Sequence, residues 1–324
     1  MCALLNVKNL QVKYRTFEGV IYAVNNVSFE IGERETLGLV GESGAGKTTT
    51  ALSLMRLIPS PPGIMEGGEI FFGGRALHSL PEEEMKRVRG EQISMIFQDP
   101  MTSLNPVLTV GLQIAEVIAA HQRVRAAEAM KRAESLMEKV QIPAARSREY
   151  PHEFSGGMRQ RIGIAMALAC NPRLIIADEP TTALDVTVQA QVIELIRELR
   201  DEMSTAMMLI THDLGVVGEV CDHVAVMYAG EIVEKGELEK VFDHPMHPYT
   251  QGLFGCIPDI EEENSVIRPI LGLMPDPFNL PVGCPFHPRC PECRDVCRTV
   301  SPPLYERKGH SVLCHLYAEG GNRV

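Results

Sequence analysis

An α/β fold with a mainly parallel sheet, an inserted helical subdomain and a Cys- and Pro-rich C-terminal extension is the architecture that the sequence predicts. From the start of the chain to about Lys235, short apolar runs alternate with helix-like stretches, which is typical of a sheet covered by helices. Residues 100–153 carry helix-like stretches with no strand between them. After Glu239 the chain holds twelve of its 22 prolines and little periodicity, so we expect a loop-rich segment there.

Five apolar runs, each of the length of a buried strand, are the predicted strands: residues 36–40, 93–97, 174–177, 207–211 and 224–228. The inserted segment contains predicted helices at 115–121 and 124–140. Apolar stripes on residues 124–140 and 188–199 indicate faces that pack in the core. The predicted domains are residues 1–239, which include the helical subdomain at about 100–153, and residues 240–324.

The composition limits the possible functions. A chain of 324 residues, 45% of them hydrophobic, can bury one large α/β core plus an appendage, or two ordinary domains. The net charge of -11 argues against nucleic acid as a partner, because affinity for the phosphate backbone comes from Lys and Arg. No uncharged apolar run reaches the roughly 20 residues that span a bilayer, and the start lacks the layout of a signal peptide. We therefore expect a cytoplasmic chain that reaches a membrane only through partner subunits.

A phosphate-binding loop is predicted at residues 41–48, which read Gly-Glu-Ser-Gly-Ala-Gly-Lys-Thr. The loop follows the strand at 36–40 and opens a helix-like stretch, which is the context that this motif requires. Its glycines let backbone N–H groups point at phosphates, with the positive end of the helix behind them. Lys47 would then reach the β- and γ-phosphates, and the Thr48 hydroxyl would bind Mg²⁺. A plain Gly-rich turn before a helix is the alternative, and the Gly-Lys-Thr spacing disfavours it.

Two adjacent acids, Asp178 and Glu179, follow the strand at 174–177. Open α/β sheets bind their ligands at the carboxyl ends of the strands, so the two acids can divide the chemistry between them. Asp178 would hold Mg²⁺, and Glu179 would polarise the attacking water as general base. A solvated strand end looks the same by itself, so the neighbouring motifs decide between the two interpretations.

Ser155-Gly156-Gly157 stands 23 residues before Asp178 and resembles the signature motif of the ABC ATPase family. The resemblance implies the P-loop NTPase fold of ABC type, with a RecA-like core and an antiparallel β subdomain. It also implies that the signature residues contact the γ-phosphate bound to a second subunit, so that two subunits enclose two ATP molecules. Phe154 and Met158 replace the outer residues of the commonest form of the motif and leave its Ser-Gly-Gly centre intact.

Other positions match the family in order along the chain. Gln98 corresponds to the glutamine that touches Mg²⁺ and the attacking water, Asp185 to the loop that communicates across the dimer, and His212 to the histidine at the γ-phosphate. For the aromatic residue that stacks on adenine, Tyr14 is the first choice and Tyr22 its rival, because residues 16–21 resemble a short insertion. The residues predicted to contact the nucleotide are Tyr14, Gly41, Ser43, Gly44, Gly46, Lys47, Thr48, Thr49, Gln98, Ser155, Gly156, Gly157, Asp178 and Asp185. Those predicted to act in catalysis are Lys47, Gln98, Glu179 and His212, and those at Mg²⁺ are Thr48, Gln98 and Asp178.

Residues 97–106, 221–230 and 247–253 are similar to the oligopeptide/dipeptide permease subfamily, whose members also serve nickel and some other solutes. The resemblance implies a peptide importer that works at the cytoplasmic face of the inner membrane. Its partners would be a second, paralogous ATPase subunit, two transmembrane permease subunits and an extracytoplasmic binding protein. The alternatives are the same role for nickel or another solute, and an ABC ATPase that acts on nucleic acid or ribosomes. The last alternative usually shows paired cassettes, a coiled-coil insertion or basic extensions, and none of these is present in the sequence.

Five of the nine cysteines lie within the last 41 residues, among prolines. In a reducing compartment such a cluster indicates metal or redox chemistry rather than disulfides, and a metal would stabilise a segment with little core of its own. Cys290 and Cys293 alone have the close spacing common in zinc sites, whereas iron–sulfur ligation tolerates wider spacing. The segment 283–291 also resembles the peptide permease ATPases, which implies a [4Fe–4S] cluster on Cys284, Cys290, Cys297 and Cys314. Zinc remains the alternative metal, and Cys293 an alternative ligand.

Overall fold

The computed structural model describes residues 3–99, 103–182, 184–256 and 269–317. They fall into two compact units. The first unit contains residues 31–36 and 79–210, and the second contains residues 3–30, 37–78 and the described residues from 211 onward. Within the described residues, no helix has both the length and the apolar composition needed to cross a membrane.

The strands in chain order are β1 Leu5–Arg15, β2 Val20–Ile31, β3 Thr36–Val40, β4 Gly63–Phe72, β5 Arg75–Ala76, β6 Ile93–Ile96, β7 Leu174–Asp178, β8 Ala206–Thr211, β9 His223–Tyr228, β10 Glu231–Glu237, β11 Leu304–Arg307 and β12 His310–Leu313. The α-helices are α1 Lys47–Leu54, α2 Glu82–Glu91, α3 Val110–His121, α4 Ala126–Lys139, α5 Gly156–Leu168, α6 Val186–Met203, α7 Leu214–Val220, α8 Leu238–Asp243 and α9 Pro248–Phe254. All five predicted strands form, with ends within one residue of the predicted ones.

The first unit is built on the parallel strands β6, β7 and β8, in that spatial order. Every residue of β6 and β7 is buried, as expected of strands covered on both faces. The segment between β6 and β7 contains no strand among its described residues, which confirms the helical insertion from 103 onward. Its predicted start, residues 100–102, lies outside the described part of the chain.

Two helices of the first unit, α4 and α6, each bury one face. Ala129, Ala133 and Met137 recur at every fourth position of α4 and are all buried. The buried residues of α6 follow the predicted stripe and are Val192, Ile193, Leu195, Ile196 and Leu199. Both stripes are therefore core faces, as predicted. Helix α3 begins at Val110, five residues before the predicted start.

The second unit contains two groups of strands. One is the sheet β2-β1-β4-β5, in which β1 pairs with β4, and β4 with β5, in antiparallel register. In the other, β3 pairs with β9 in parallel, while β9–β10, β10–β12 and β12–β11 are antiparallel. Helix α1 follows β3, and α7, α8 and α9 belong to the same unit.

The C-terminal extension contains more regular structure than its prolines predict. Strands β11 and β12 form a hairpin, and β12 pairs with β10 through Glu234↔Val312 and Lys235↔Ser311. Val312 packs in a small cluster with Cys314, Leu316 and Tyr317. The expectation of a loop-rich segment is therefore incomplete. The hairpin strands are too short to be predicted from their own sequence, and β12 is stabilised by pairing with the edge of β10.

Candidate nucleotide site

The predicted phosphate loop lies between β3 and α1 in the second unit. Helix α1 begins at Lys47, directly after Gly46, whose φ is 103°. A Cβ at Gly46 would lie 2.3 Å from the carbonyl oxygen of Ala23, so both the backbone angle and the close approach require glycine. Ser43, Gly44 and Thr48 are exposed. The loop therefore presents its backbone and the Thr48 hydroxyl to solvent at the N-terminus of a helix, where an anion binds favourably.

Lys47 is buried and points back into the loop. Its Nζ donates to the carbonyl oxygens of Gly41 at 2.7 Å and of Glu42 at 3.0 Å. The N–H of Ala45 donates to the same carbonyl of Glu42 at 3.2 Å. The ammonium group is thus positioned by the main chain of the loop that it closes.

Tyr14, Tyr22 and His212 belong to the same unit. The Tyr14 hydroxyl lies 3.4 Å from Oγ1 of Thr49, in the first turn of α1. The ring of Tyr22 is covered by Lys13, whose Nζ lies 4.7 Å from the ring centroid. The first contact places the Tyr14 hydroxyl beside the phosphate-loop helix, and the choice of Tyr14 over Tyr22 for adenine stacking stays a prediction. His212 is exposed and directly precedes Asp213, which caps α7 by accepting from the N–H groups of Gly215 and Val216.

The two predicted acids occupy different backbone environments in the first unit. Asp178 ends β7 and is 2% exposed. Glu179 has a φ of 46°, in the left-handed region that non-glycine residues rarely adopt. Its N–H donates to the carbonyl of Ile210 at 2.8 Å, which holds this conformation. A strained backbone of this kind costs about 1–3 kcal/mol and is concentrated at functional sites.

The Glu179 carboxylate is oriented by two side chains. Gln98 Nε2 and Thr182 Oγ1 each donate to Glu179 Oε2 at 2.9 Å. Gln98 is one of the predicted site residues, and it comes from the end of β6. Thr182 was not predicted to act on Glu179, because a threonine three residues after a glutamate carries no signal in the sequence.

The signature residues begin α5 in the same unit. Ser155 is the N-cap, and its side chain accepts from the N–H of Met158 at 3.4 Å. A cavity of about 470 Å³ is lined by residues that include Ser155, Gly156, Gly157, Asp185 and Arg161. The signature motif and Asp185 thus line one cavity, and their roles at a nucleotide stay predictions. Ala183, in the loop before Asp185, lies outside the described residues.

The predicted metal ligands are close to one another in the extension. Cys284, Cys297 and Cys314 are buried, and Cys290 and Cys293 are partly buried. Burial raises the pKa of Cys284 to about 12, with further contributions from the thiols of Cys314, Cys297 and Cys290. Burial likewise raises the pKa of Cys290 to about 11 and that of Cys314. Among the described residues, however, no three His, Cys, Asp or Glu side chains are arranged to hold a metal ion, so the predicted metal centre is not supported by this arrangement.

Two residues that the sequence did not single out contact the phosphate loop. Arg289 forms an ion pair with Glu42, and the Tyr249 hydroxyl accepts a hydrogen bond from the Glu42 N–H at 2.9 Å. Both belong to segments that were noted only for their resemblance to the peptide permease subfamily. The resemblance was therefore the available signal, but it did not indicate a role at the loop.

Comparison with known proteins identifies the family. The ABC transporter family matches residues 24–182, and the oligopeptide/dipeptide transporter C-terminal region matches residues 233–297. The oligopeptide transport ATP-binding protein OppD of Escherichia coli (strain K12) is 52% identical over 306 residues, which cover 94% of this chain and 90% of that protein. The oligopeptide transport ATP-binding protein AppD of Bacillus subtilis (strain 168) is 49% identical over 324 residues, with 99% of each chain covered.

Solved structures agree with these matches. The dimeric post-hydrolysis structure of the ATP-binding cassette MJ0796, bound to ADP and Pi, has a TM-score of 0.65 and is 29% identical, covering 72% of this chain and 98% of that one. CbiO1 of Clostridium perfringens, part of an ABC transporter complex, has a TM-score of 0.63 at 25% identity, covering 75% of this chain and 92% of that one. These likenesses confirm the predicted fold class. The chain therefore belongs to the ATP-hydrolysing subunits of ABC transporters, in the branch that carries the oligopeptide/dipeptide transporter C-terminal region.

Proposed function

We propose that this chain is the ATPase subunit of an importer for dipeptides or oligopeptides. The observation that carries the proposal is the joint presence of the ABC transporter match and the oligopeptide/dipeptide C-terminal match on one chain. Relatives that cover nearly the whole chain are named oligopeptide transport ATP-binding proteins. Nickel or another solute is the alternative cargo, and no described residue of this chain selects between them.

The individual residues have distinct proposed roles. Lys47 and the exposed phosphate-loop backbone bind the phosphates, while Thr48, Gln98 and Asp178 hold Mg²⁺. Glu179 acts as general base, oriented by its two hydrogen bonds, and His212 contacts the γ-phosphate. The cavity at Ser155 receives the γ-phosphate of ATP on a second ATPase subunit, and Asp185 communicates across that dimer. Tyr14 stacks on adenine.

The proposed partners follow from this function. A second, paralogous ATPase subunit completes the two nucleotide sites. Two transmembrane permease subunits bind the ATPase pair at the cytoplasmic face of the inner membrane, and an extracytoplasmic binding protein delivers the solute. We further propose two domains: residues 1–239 bind the nucleotide, and residues 240–324 form the subfamily-specific extension.

The function is tested by transport in vesicles that contain the assembled complex and its binding protein. Labelled dipeptide or oligopeptide is expected to accumulate only with ATP, and Glu179→Gln in this chain serves as the control that cannot energise uptake. Uptake of Ni²⁺ without peptide uptake would overturn the choice of substrate. Purification of the native chain with ribosomes, and not with membrane proteins, would overturn the transporter role itself.

We also infer that Cys284, Cys290, Cys297 and Cys314 hold a [4Fe–4S] cluster. The inference rests on the resemblance of residues 283–291 to the peptide permease ATPases, and the other three thiols lie near enough to Cys284 to raise its pKa. Thiolates are the ligands that iron–sulfur clusters use. Four thiolates can also bind zinc, which remains the alternative metal. The cluster would stabilise the fold of the extension.

Iron content tests the ligand assignment. The anaerobically purified chain is expected to be brown and to contain about four irons, with absorbance that bleaches on reduction. Cys284→Ser and Cys314→Ser should lose the iron, because each removes a thiolate ligand, whereas the matched control Cys293→Ser should keep it. Colourless protein with stoichiometric zinc contradicts the cluster. Loss of iron in Cys293→Ser alone contradicts the ligand set.

A further inference from the structure

Glu42, the second residue of the phosphate loop, is held by two side chains that come 207 and 247 positions later in the chain. The guanidinium of Arg289 donates to both carboxylate oxygens, from Nη1 to Oε2 at 2.7 Å and from Nη2 to Oε1 at 3.0 Å. The hydroxyl of Tyr249 accepts from the Glu42 N–H at 2.9 Å. Both the side chain and the main chain of Glu42 are therefore fixed by the C-terminal extension, within the second unit.

Arg289 is itself held in place. Its side chain is 6% exposed, and its Nε donates to the carbonyl of Leu271 at 3.1 Å. The guanidinium carbon lies 5.8 Å from the centroid of the Tyr228 ring. Tyr228, Tyr249 and Phe286 pack against one another with ring centroids 4.6–5.4 Å apart. A two-pronged pair whose arginine is 6% exposed and whose glutamate is 27% exposed fixes geometry in a way that a fully exposed ion pair does not.

The contacts of Glu42 continue to Lys47. The carbonyl oxygen of Glu42 accepts from Lys47 Nζ and from the Ala45 N–H. A shift of Glu42 would therefore move an acceptor that positions the phosphate-binding ammonium and would disturb the turn at Ala45.

We propose that Arg289 is a positioning residue for the phosphate loop, through which the C-terminal extension sets the affinity of the subunit for ATP and ADP. Without the Arg289–Glu42 pair the loop spends part of its time in conformations that do not bind nucleotide. The apparent dissociation constant for nucleotide then rises in inverse proportion to the fraction of molecules whose loop can bind it. If one molecule in ten has a loop conformation that binds nucleotide, the affinity for both ATP and ADP should fall about tenfold.

An alternative role for Arg289 is to cancel the charge of Glu42, which would otherwise repel the phosphates. The two roles predict opposite results for Glu42→Gln. If Arg289 serves only to cancel the charge of Glu42, removing that charge leaves the affinity for nucleotide unchanged or improves it. It lowers affinity if the two-pronged pair positions the loop.

The test is equilibrium titration of the full-length chain with ATP and with ADP, in wild type, Arg289→Ala, Glu42→Gln and the double variant. We expect weaker binding in both single variants and no further loss in the double variant. Arg289→Lys keeps the charge but not the planar fork, so it should resemble Arg289→Ala. Wild-type affinity in Arg289→Ala, in Arg289→Lys or in the double variant would overturn the positioning role.

Two further variants keep the test decisive. Arg307→Ala removes an exposed arginine from the same extension and should bind nucleotide as wild type does. Tyr249→Phe keeps the ring packing but removes the acceptor for the Glu42 N–H, so it should also weaken binding. If Arg289→Ala fails to fold, Tyr249→Phe and Arg289→Lys decide the question, and normal affinity in both overturns the proposal.

Hydrogen exchange supplies a readout that a merely structural role would not change. Coupling between two sites is reciprocal, so an extension that favours nucleotide binding must itself be stabilised by the nucleotide. ADP should slow amide exchange in residues 284–297 of the wild-type chain, for example at the Cys284 N–H that donates to the Cys297 carbonyl at 2.9 Å. Arg289→Lys should lose that protection. An ADP effect of equal size in both proteins would contradict the proposal.

Discussion

Glu179→Gln is expected to lower the rate of ATP hydrolysis by about 10²–10⁴-fold, the usual contribution of a positioned general base. Glutamine has nearly the same shape but cannot accept the proton of the attacking water. ATP binding should persist and look tighter, because bound nucleotide is no longer consumed. The measurement is steady-state phosphate release by the assembled transporter, together with nucleotide titration. Turnover near the wild-type rate would remove Glu179 from the mechanism.

The hydrogen bonds at Glu179 provide a graded control for the same experiment. Thr182→Val keeps the shape of the side chain but removes the hydroxyl that donates to Glu179 Oε2. We expect a smaller loss of hydrolysis than in Glu179→Gln, since the carboxylate remains and keeps its hydrogen bond from Gln98. Thr181→Val is the matched control, because the main-chain carbonyl of Thr181 accepts hydrogen bonds from Gln189 Nε2 and from the Leu184 N–H, each at 3.2 Å, and valine preserves both.

The purified chain on its own is expected to hydrolyse ATP poorly, with a rate per chain that falls further on dilution. In the proposed arrangement, one chain supplies the phosphate loop of one site and the cavity at Ser155 for another, so a complete site would need two subunits. The measurement is phosphate release over a wide range of protein concentration, with and without the second ATPase subunit. Adding that subunit should restore activity.

The signature residues make this experiment specific. A Cβ at Gly157 would lie 2.5 Å from Cγ1 of Val188, so Gly157→Ala would distort the start of α5. In the assembled pair, this variant should impair the site whose phosphate loop belongs to the partner. It should leave ATP binding to this chain's own loop intact. High activity of the isolated chain, strictly proportional to protein at great dilution, would contradict the shared site.

Local sequence patterns were sufficient for five strands, β3, β6, β7, β8 and β9, and for the phosphate-loop motif. The runs at 36–40 and 174–177 are uninterrupted apolar stretches because parallel strands are buried on both faces, and both became strands. The Gly-rich loop with its Lys-Thr ending was recognisable because its function depends on the backbone of eight consecutive residues. The signature motif was recognisable for the same reason, since the cap at Ser155 and the start of α5 are local features.

Other properties depended on contacts between distant parts of the chain. The order of the strands and the hairpin β11–β12 could not be read from periodicity, because a short edge strand is specified by the strand that pairs with it. The cysteines show the same limit. Their clustering in the sequence was evident, but their burial and mutual closeness come from the folding of the extension.

The sequence by itself determined the family of this protein, its phosphate loop, its paired acids and the presence of a distinctive extension. The tertiary structure alone decided how the acids and the loop are held. Glu179 is oriented by Gln98, which lies 81 positions earlier, and Glu42 by Arg289, which lies 247 positions later. Hydrogen bonds and ion pairs act over about 3 Å of space regardless of separation along the chain. Their partners are therefore set by the fold and not by spacing in the sequence.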